Sequence, residues 1–177
     1  ITHPIEVAKL LIKYANEKTA TNDVIEMCII ALLHDTVEDN ENISIATIIE
    51  EFEAFHHPLS RISKMVNALT KNKSSHFIDQ IKEIEEECPE VVIIKVADRL
   101  HNLSDNIENM SKYTKIKYAE ETPKLIELAE NFADKYMIVD RFRGLLEKLK
   151  QEYQKFMKGC QTHTYLKIEY VDFDSLN

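Results

Sequence analysis

Two glycines in 177 residues leave this chain few places to turn sharply. Glycine supplies the positive-φ residues that tight strand hairpins need, so a many-stranded fold is poorly served by such a sequence. Four prolines, 44% apolar residues and 30% charged residues complete a balance that favours long helices. The expected class is all-α. The length suits one domain large enough to bury a real core, expected over residues 1–159, with residues 160–177 as a tail or short strand.

The formal net charge of −9 argues against broad contact with a nucleic-acid backbone or an anionic membrane, since both reward basic surfaces. A small anionic ligand is compatible if a metal ion or local lysines offset the field. Cys28, Cys88 and Cys160 are odd in number and widely spaced, with no CxxC pair. Neither a disulfide framework nor a thiolate zinc site is indicated, and a reducing cytoplasm fits. The longest apolar stretch, around Val24 to Leu33, is broken by Glu26 and is too short to span a bilayer. No secretory signal is recognisable at the N-terminus. The chain opens at Ile1 with a helical pattern already under way, from which an upstream stretch is expected.

Apolar residues at Ile5, Ala8, Leu11, Ile12 and Ala15 predict a first helix beginning almost at His3, with Pro4 in its first turn. Asn22 or Asp23 can cap a second, running through Met27 and Leu33 to about Val37. Ser44 starts a third, and His56-His57-Pro58 reads as a break. Ser60 to Leu69 and Phe77 to Glu86 predict two more helices, with Lys71 to Ser75 as a basic loop between them. The run Val91-Val92-Ile93-Ile94 is rich in β-branched residues, but Pro89 opens helices well and the pattern continues through Ala97, Leu100 and Leu103, which predicts a buried helix. Helices over Thr122 to Tyr136 and Val139 to Lys158 precede Gly159. Tyr165 to Phe173 alternates weakly, as an extended segment would.

Chemistry concentrates in two places. In IIALLHDTVEDN, helical offsets set His34 over Glu38, and Asp35 beside both Glu38 and Asp39. Three acids on one face beside an apolar run repel by roughly 0.2–0.5 kcal/mol per pair, and more where they are buried. A divalent cation would remove that penalty. In IIKVADRLHN, Lys95, Asp98 and Asn102 lie along one helical stripe that Asp105 extends. A buried lone aspartate needs a partner or a metal, and a salt bridge to Lys95 or an arginine would also satisfy Asp98.

His3 supplies a further piece. The blocks HPIEVA at His3 to Ala8, ALLHDTVEDN at Ala31 to Asn40, ALTK at Ala68 to Lys71 and IKVADRLHNL at Ile94 to Leu103 occur in one order. In that order the chain resembles the HD-domain metal-dependent phosphohydrolases. The closer resemblance is to the hydrolase domain of the Rel/Spo alarmone enzymes and their small stand-alone relatives. It implies an all-α HD-domain helical bundle holding one divalent ion through His3, His34, Asp35 and Asp98. Manganese is the usual ion, with iron, zinc, cobalt, nickel or magnesium as alternatives, and open positions could hold water.

The resemblance further implies that Glu38 and Asp39 position or deprotonate the attacking water and that Asn102 contacts the nucleotide. Lys95 could pair with a phosphate or with a carboxylate, and Lys71 and Lys73 with phosphates at the rim. Arg99 and His101 share the motif, but their offsets let them face neighbouring helices, so they are expected behind the ligands. His56, His57, His76 and His163 fall outside the matching blocks. The implied reaction removes the 3′-pyrophosphate from guanosine tetra- or pentaphosphate, leaving GDP and pyrophosphate in the first case. A phosphatase for another nucleotide and a non-catalytic nucleotide sensor are the alternatives. Two departures bear on substrate: Phe77-Ile78-Asp79-Gln80 stands where relatives carry a basic pair, and Ser104 where they often carry arginine.

Overall fold

A β-branched run at the centre of the chain decides the architecture. The computed structural model describes residues 2–40, 42–53, 59–70, 77–105 and 110–162, and in it Val91–Asp105 is a helix whose every residue from Val91 to Leu100 is buried. A helix that is apolar nearly all round must be enclosed by others. This one, α7, touches α1 (Thr2–Tyr14), α2 (Thr21–Leu33), α5 (Leu59–Leu69), α8 (Lys112–Lys135) and α10 (Arg143–Thr162). The remaining elements are α3 (Thr36–Asp39), α4 (Ile45–Glu53), α6 (Phe77–Glu83) and α9 (Met137–Asp140). No strand occurs among the described residues, so the fold is all-α. The C-terminal segment expected to be extended lies outside them.

Packing around α7 overrides the strand preference of Val91 to Ile94. Val7 and Leu11 of α1, Met27 and Ile30 of α2, Met65 of α5, and Leu145 and Leu149 of α10 join it in one core, all fully buried. Each such side chain contributes roughly 1.5–3 kcal/mol by leaving water. The helix starts after Pro89, where the buried Glu90 carboxylate is met by Arg61 of α5, whose Nε also reaches Glu26 of α2 at 3.1 Å. That pairing keeps a costly buried charge from standing alone.

The chain turns between α1 and α2 without glycine. Asn16 Oδ1 accepts from the Lys18 amide at 2.9 Å and from Thr19 Oγ1 at 3.3 Å, a side-chain substitute for a backbone turn. Cys28 then donates its thiol to the Ala8 carbonyl at 3.7 Å, bringing α2 against α1.

Four predicted boundaries are corrected. The second helix stops at Leu33 instead of Val37, and Asp35, at φ −92° and ψ −9°, turns the chain into α3. In a continuous helix, adjacent side chains diverge by about 100°, whereas this corner lets His34 and Asp35 face one point. The helix predicted from Phe77 to Glu86 ends at Glu83. The one predicted from Thr122 begins at Lys112, where Ser111 Oγ accepts from the Thr114 amide at 3.0 Å as an N-cap. Pro123 imitates a helix start but sits inside α8: the Ala119 carbonyl it leaves without a helical donor receives Tyr153 OH from α10 at 2.8 Å. The last predicted helix divides into α9 and α10, and α10 continues past Gly159 to Thr162. Among the described residues, no helix is long and apolar enough to cross a membrane.

Candidate metal centre

His3 stands in the first turn of α1, His34 and Asp35 form the corner between α2 and α3, and Asp98 lies midway along α7. One donor atom each of His3, His34 and Asp35 lies within 4.8 Å of the others. Asp98 Oδ1 is 3.0 Å from His3 Nε2 and 3.9 Å from His34 Nε2, so it joins the same cluster. The side chains of His34 and Asp98 are 2% and 8% exposed, those of His3 and Asp35 26% and 28%. A buried floor thus carries a rim that solvent can reach.

Asp98 is held from three sides. Lys95 Nζ donates to Oδ2 at 2.8 Å, Asn102 Nδ2 donates to Oδ1 at 2.7 Å, and His3 Nε2 approaches Oδ1. Burial alone would push this carboxyl up, but the charge of Lys95 and the hydrogen bond of His3 outweigh it and keep it well below its usual range. The partner effect raises the His3 imidazole above 6.5, chiefly through the Asp98 hydrogen bond and against the pull of burial.

His34 supplies the sharpest test of whether a cation fits. Its Nδ1 donates to the Ala31 carbonyl at 2.7 Å, so whenever the ring is neutral its lone pair is on Nε2. That atom is buried and makes no hydrogen bond, although Asp35 Oδ1 lies 3.1 Å away. A lone pair facing carboxylate oxygens in the interior is unfavourable unless a cation stands between them. Two imidazoles and two carboxylates with one open side form a donor set suited to manganese, iron or zinc.

Several expected residues stand differently from one another. Lys95 and Asn102 both bind Asp98, and Lys95 Nζ also lies 5.7 Å from the Phe77 ring centroid. The backbone of Glu38 and Asp39 belongs to α3, one turn beyond Asp35, while their side chains, like that of Asp105, lie outside the described residues. Lys71, Lys73, His56, His57, His76 and His163 lie outside them as well. Arg99 faces away, pairing with Glu121 at 2.8 Å and stacking 3.9 Å over the Tyr118 ring, which ties α7 to α8. For His101 the sequence implies a place behind the ligands but no partner. Its Nδ1 lies 2.8 Å from His3 Nδ1, a partnership whose only trace in sequence is the three-residue offset from Asp98.

The family model for the HD domain matches residues 1–103, more than half of the chain. The chain belongs to the HD domain family. Among its relatives, human MESH1, a guanosine-3′,5′-bis(diphosphate) 3′-pyrophosphohydrolase, is 32% identical over 109 residues, covering 59% of this chain and 54% of that protein. The zebrafish MESH1 is 33% identical over 109 residues, with the same coverage of both chains. The GTP pyrophosphokinase rsh of Brucella abortus is 27% identical over 179 residues, covering 87% of this chain and 22% of that protein. The chain spans about half the length of its MESH1 relatives. All four clustered side chains of this HD domain fall inside the family match.

Proposed function

We propose that this HD domain is a metal-dependent phosphohydrolase that removes the 3′-pyrophosphate of guanosine tetra- or pentaphosphate. The observation that carries the reading is the buried His34 Nε2, which makes no hydrogen bond and faces the place where His3, Asp35 and Asp98 meet. The similarity to MESH1 supports the choice of nucleotide. In this reading His3, His34, Asp35 and Asp98 hold one divalent ion, manganese in the native state. When bound, such an ion acidifies a coordinated water and neutralises charge that develops on phosphoryl oxygens.

The chain's own groups do the rest. Glu38 and Asp39, within a turn of Asp35, take the proton of the attacking water. Water oxygen adds to the phosphorus attached to the ribose 3′ oxygen, the bond to that oxygen breaks, the departing oxygen takes up a proton to become the 3′ hydroxyl, and the products from the tetraphosphate are GDP and pyrophosphate. Lys95 has two tasks: it keeps Asp98 ionised and places positive charge near the incoming phosphates. Asn102 holds the nucleotide edge while it orients Asp98, and Lys71 meets phosphate at the rim. An acidic protein needs such local positive charge to attract an anionic substrate. Three unpaired cysteines suit a reducing cytoplasm.

A nucleotide panel with manganese, assayed separately for phosphate and pyrophosphate, tests the proposal. Guanosine tetraphosphate is expected to yield GDP and intact pyrophosphate, with plain 5′-nucleotides as poor substrates. Orthophosphate from deoxynucleoside monophosphates with the tetraphosphate untouched would establish a different phosphatase. Binding without turnover would make the protein a sensor.

A further inference from the structure

His34 and His3 face the same carboxylates, but their outer nitrogens are secured differently. His34 Nδ1 is tied to the Ala31 carbonyl one turn back in its own helix. His3, in the first turn of α1, draws its outer partner from a different helix. Its Nδ1 instead lies 2.8 Å from Nδ1 of His101, the two rings meeting edge-on at 62° with centroids 4.7 Å apart. Two imidazole nitrogens at that distance share one proton, so one ring donates and the other accepts.

The opposite edge of His3 decides which is which. Nε2 donates to Asp98 Oδ1 at 3.0 Å and lies 3.7 Å from Asp35 Oδ2, so this is the atom that faces the cation site and gives up its proton when a cation binds. A neutral imidazole can offer the Nε2 lone pair only while its proton sits on Nδ1. His101 Nδ1 must then accept, which puts the His101 proton on Nε2.

We infer that His101 is the positioning residue for His3: it accepts the His3 Nδ1 proton, fixes the tautomer that presents Nε2 to the cation, and joins α7 to α1 at the centre. This role rests on the metal reading proposed above. Outer hydrogen-bond partners of metal-binding histidines commonly set ring orientation in this way, and losing one weakens metal affinity about 10- to 100-fold.

Zinc is the probe, because it is diamagnetic and tetrahedral sites with imidazole and carboxylate suit it. Wild type, His101→Phe and His101→Asn would be titrated with zinc against a chelating indicator. Long-range nitrogen–proton spectra of the His3 ring would be recorded alongside. Phenylalanine keeps ring volume without an acceptor; asparagine restores an acceptor near Nδ1. Zinc-loaded wild type should show the proton on His3 Nδ1 and nitrogen–nitrogen coupling to His101. His101→Phe should bind zinc about 10- to 100-fold more weakly with His3 in mixed tautomers, and His101→Asn should recover most of the loss.

Wild-type affinity in His101→Phe, or equal weakening in both variants, overturns the role of His101 while leaving the metal site standing. A zinc-loaded wild type without a proton on His3 Nδ1 does the same, whatever the variants' folding. If wild type binds no zinc, or His3→Ala binds it unchanged, the metal reading fails and this role fails with it.

Discussion

The α2–α3 corner and the contact between α1 and α7 deliver like side chains to one place by opposite routes. At the corner, His34 and Asp35 are neighbours in sequence, and His34 is oriented by the Ala31 carbonyl of its own helix. At the contact, His3 meets Asp98 across 95 positions and His101 across 98. The first half is a product of local backbone geometry. The second exists only while Val7 and Leu11 hold α1 in the core that α7 anchors. Disturbing the packing should therefore loosen the His3 half of the centre first and leave the His34 half in place.

Asp98→Ala breaks both halves at once and should have the largest effect. Elemental analysis is expected to show metal content falling from about one ion per chain to near zero, because the ligand set loses the group that faces both imidazoles. Lys95 would be left buried without its partner, which costs about 3–5 kcal/mol in chemical denaturation. Full occupancy in this variant would remove Asp98 from the centre.

Glu38→Gln sharpens the comparison by separating holding from chemistry at the corner. Metal and nucleotide should still bind, with turnover lowered about 10²- to 10⁴-fold, the range of a lost general base. An unchanged rate would shift the proton-accepting role to Asp39.

Leu11→Ala attacks the contact alone. Leu11 is fully buried, so urea denaturation should show a loss of about 2–5 kcal/mol. The ring resonances of His3 should broaden while those of His34, tied to its own helix, stay put. Equal disturbance of both rings would show that the halves are not independent. Ile12→Ser, one residue further on α1 but 61% exposed, is the control and should change stability by no more than about 0.5 kcal/mol.

Much of the fold was legible where one face of a helix repeats in sequence. The spacing in α7 marked its buried side, and Pro89 decided the ambiguous Val91 to Ile94 run, whereas two residues of the apolar pattern in α1, Ile5 and Ile12, are exposed. The start of α8 was not legible, because Thr122-Pro123 carries every local sign of a helix beginning. Only the Tyr153 hydroxyl, arriving from another helix, makes a proline tolerable there. The corner at Asp35 was misread for a related reason: His34 and Asp35 keep near-helical dihedrals, and a turn that small leaves no compositional trace.

For the centre, sequence alone determined which residue types were present, their order, and the family the blocks resemble. It left open whether Lys95 answers Asp98 or a phosphate, and the folded chain adds that Lys95 reaches Asp98 at 2.8 Å. Tertiary structure alone decided that His101 stands behind His3 and that Arg99 packs against α8. The physical reason is range. Helical periodicity reports on neighbours three and four residues apart, whereas a hydrogen bond between residues 98 positions apart depends on how two helices pack, which no local pattern encodes.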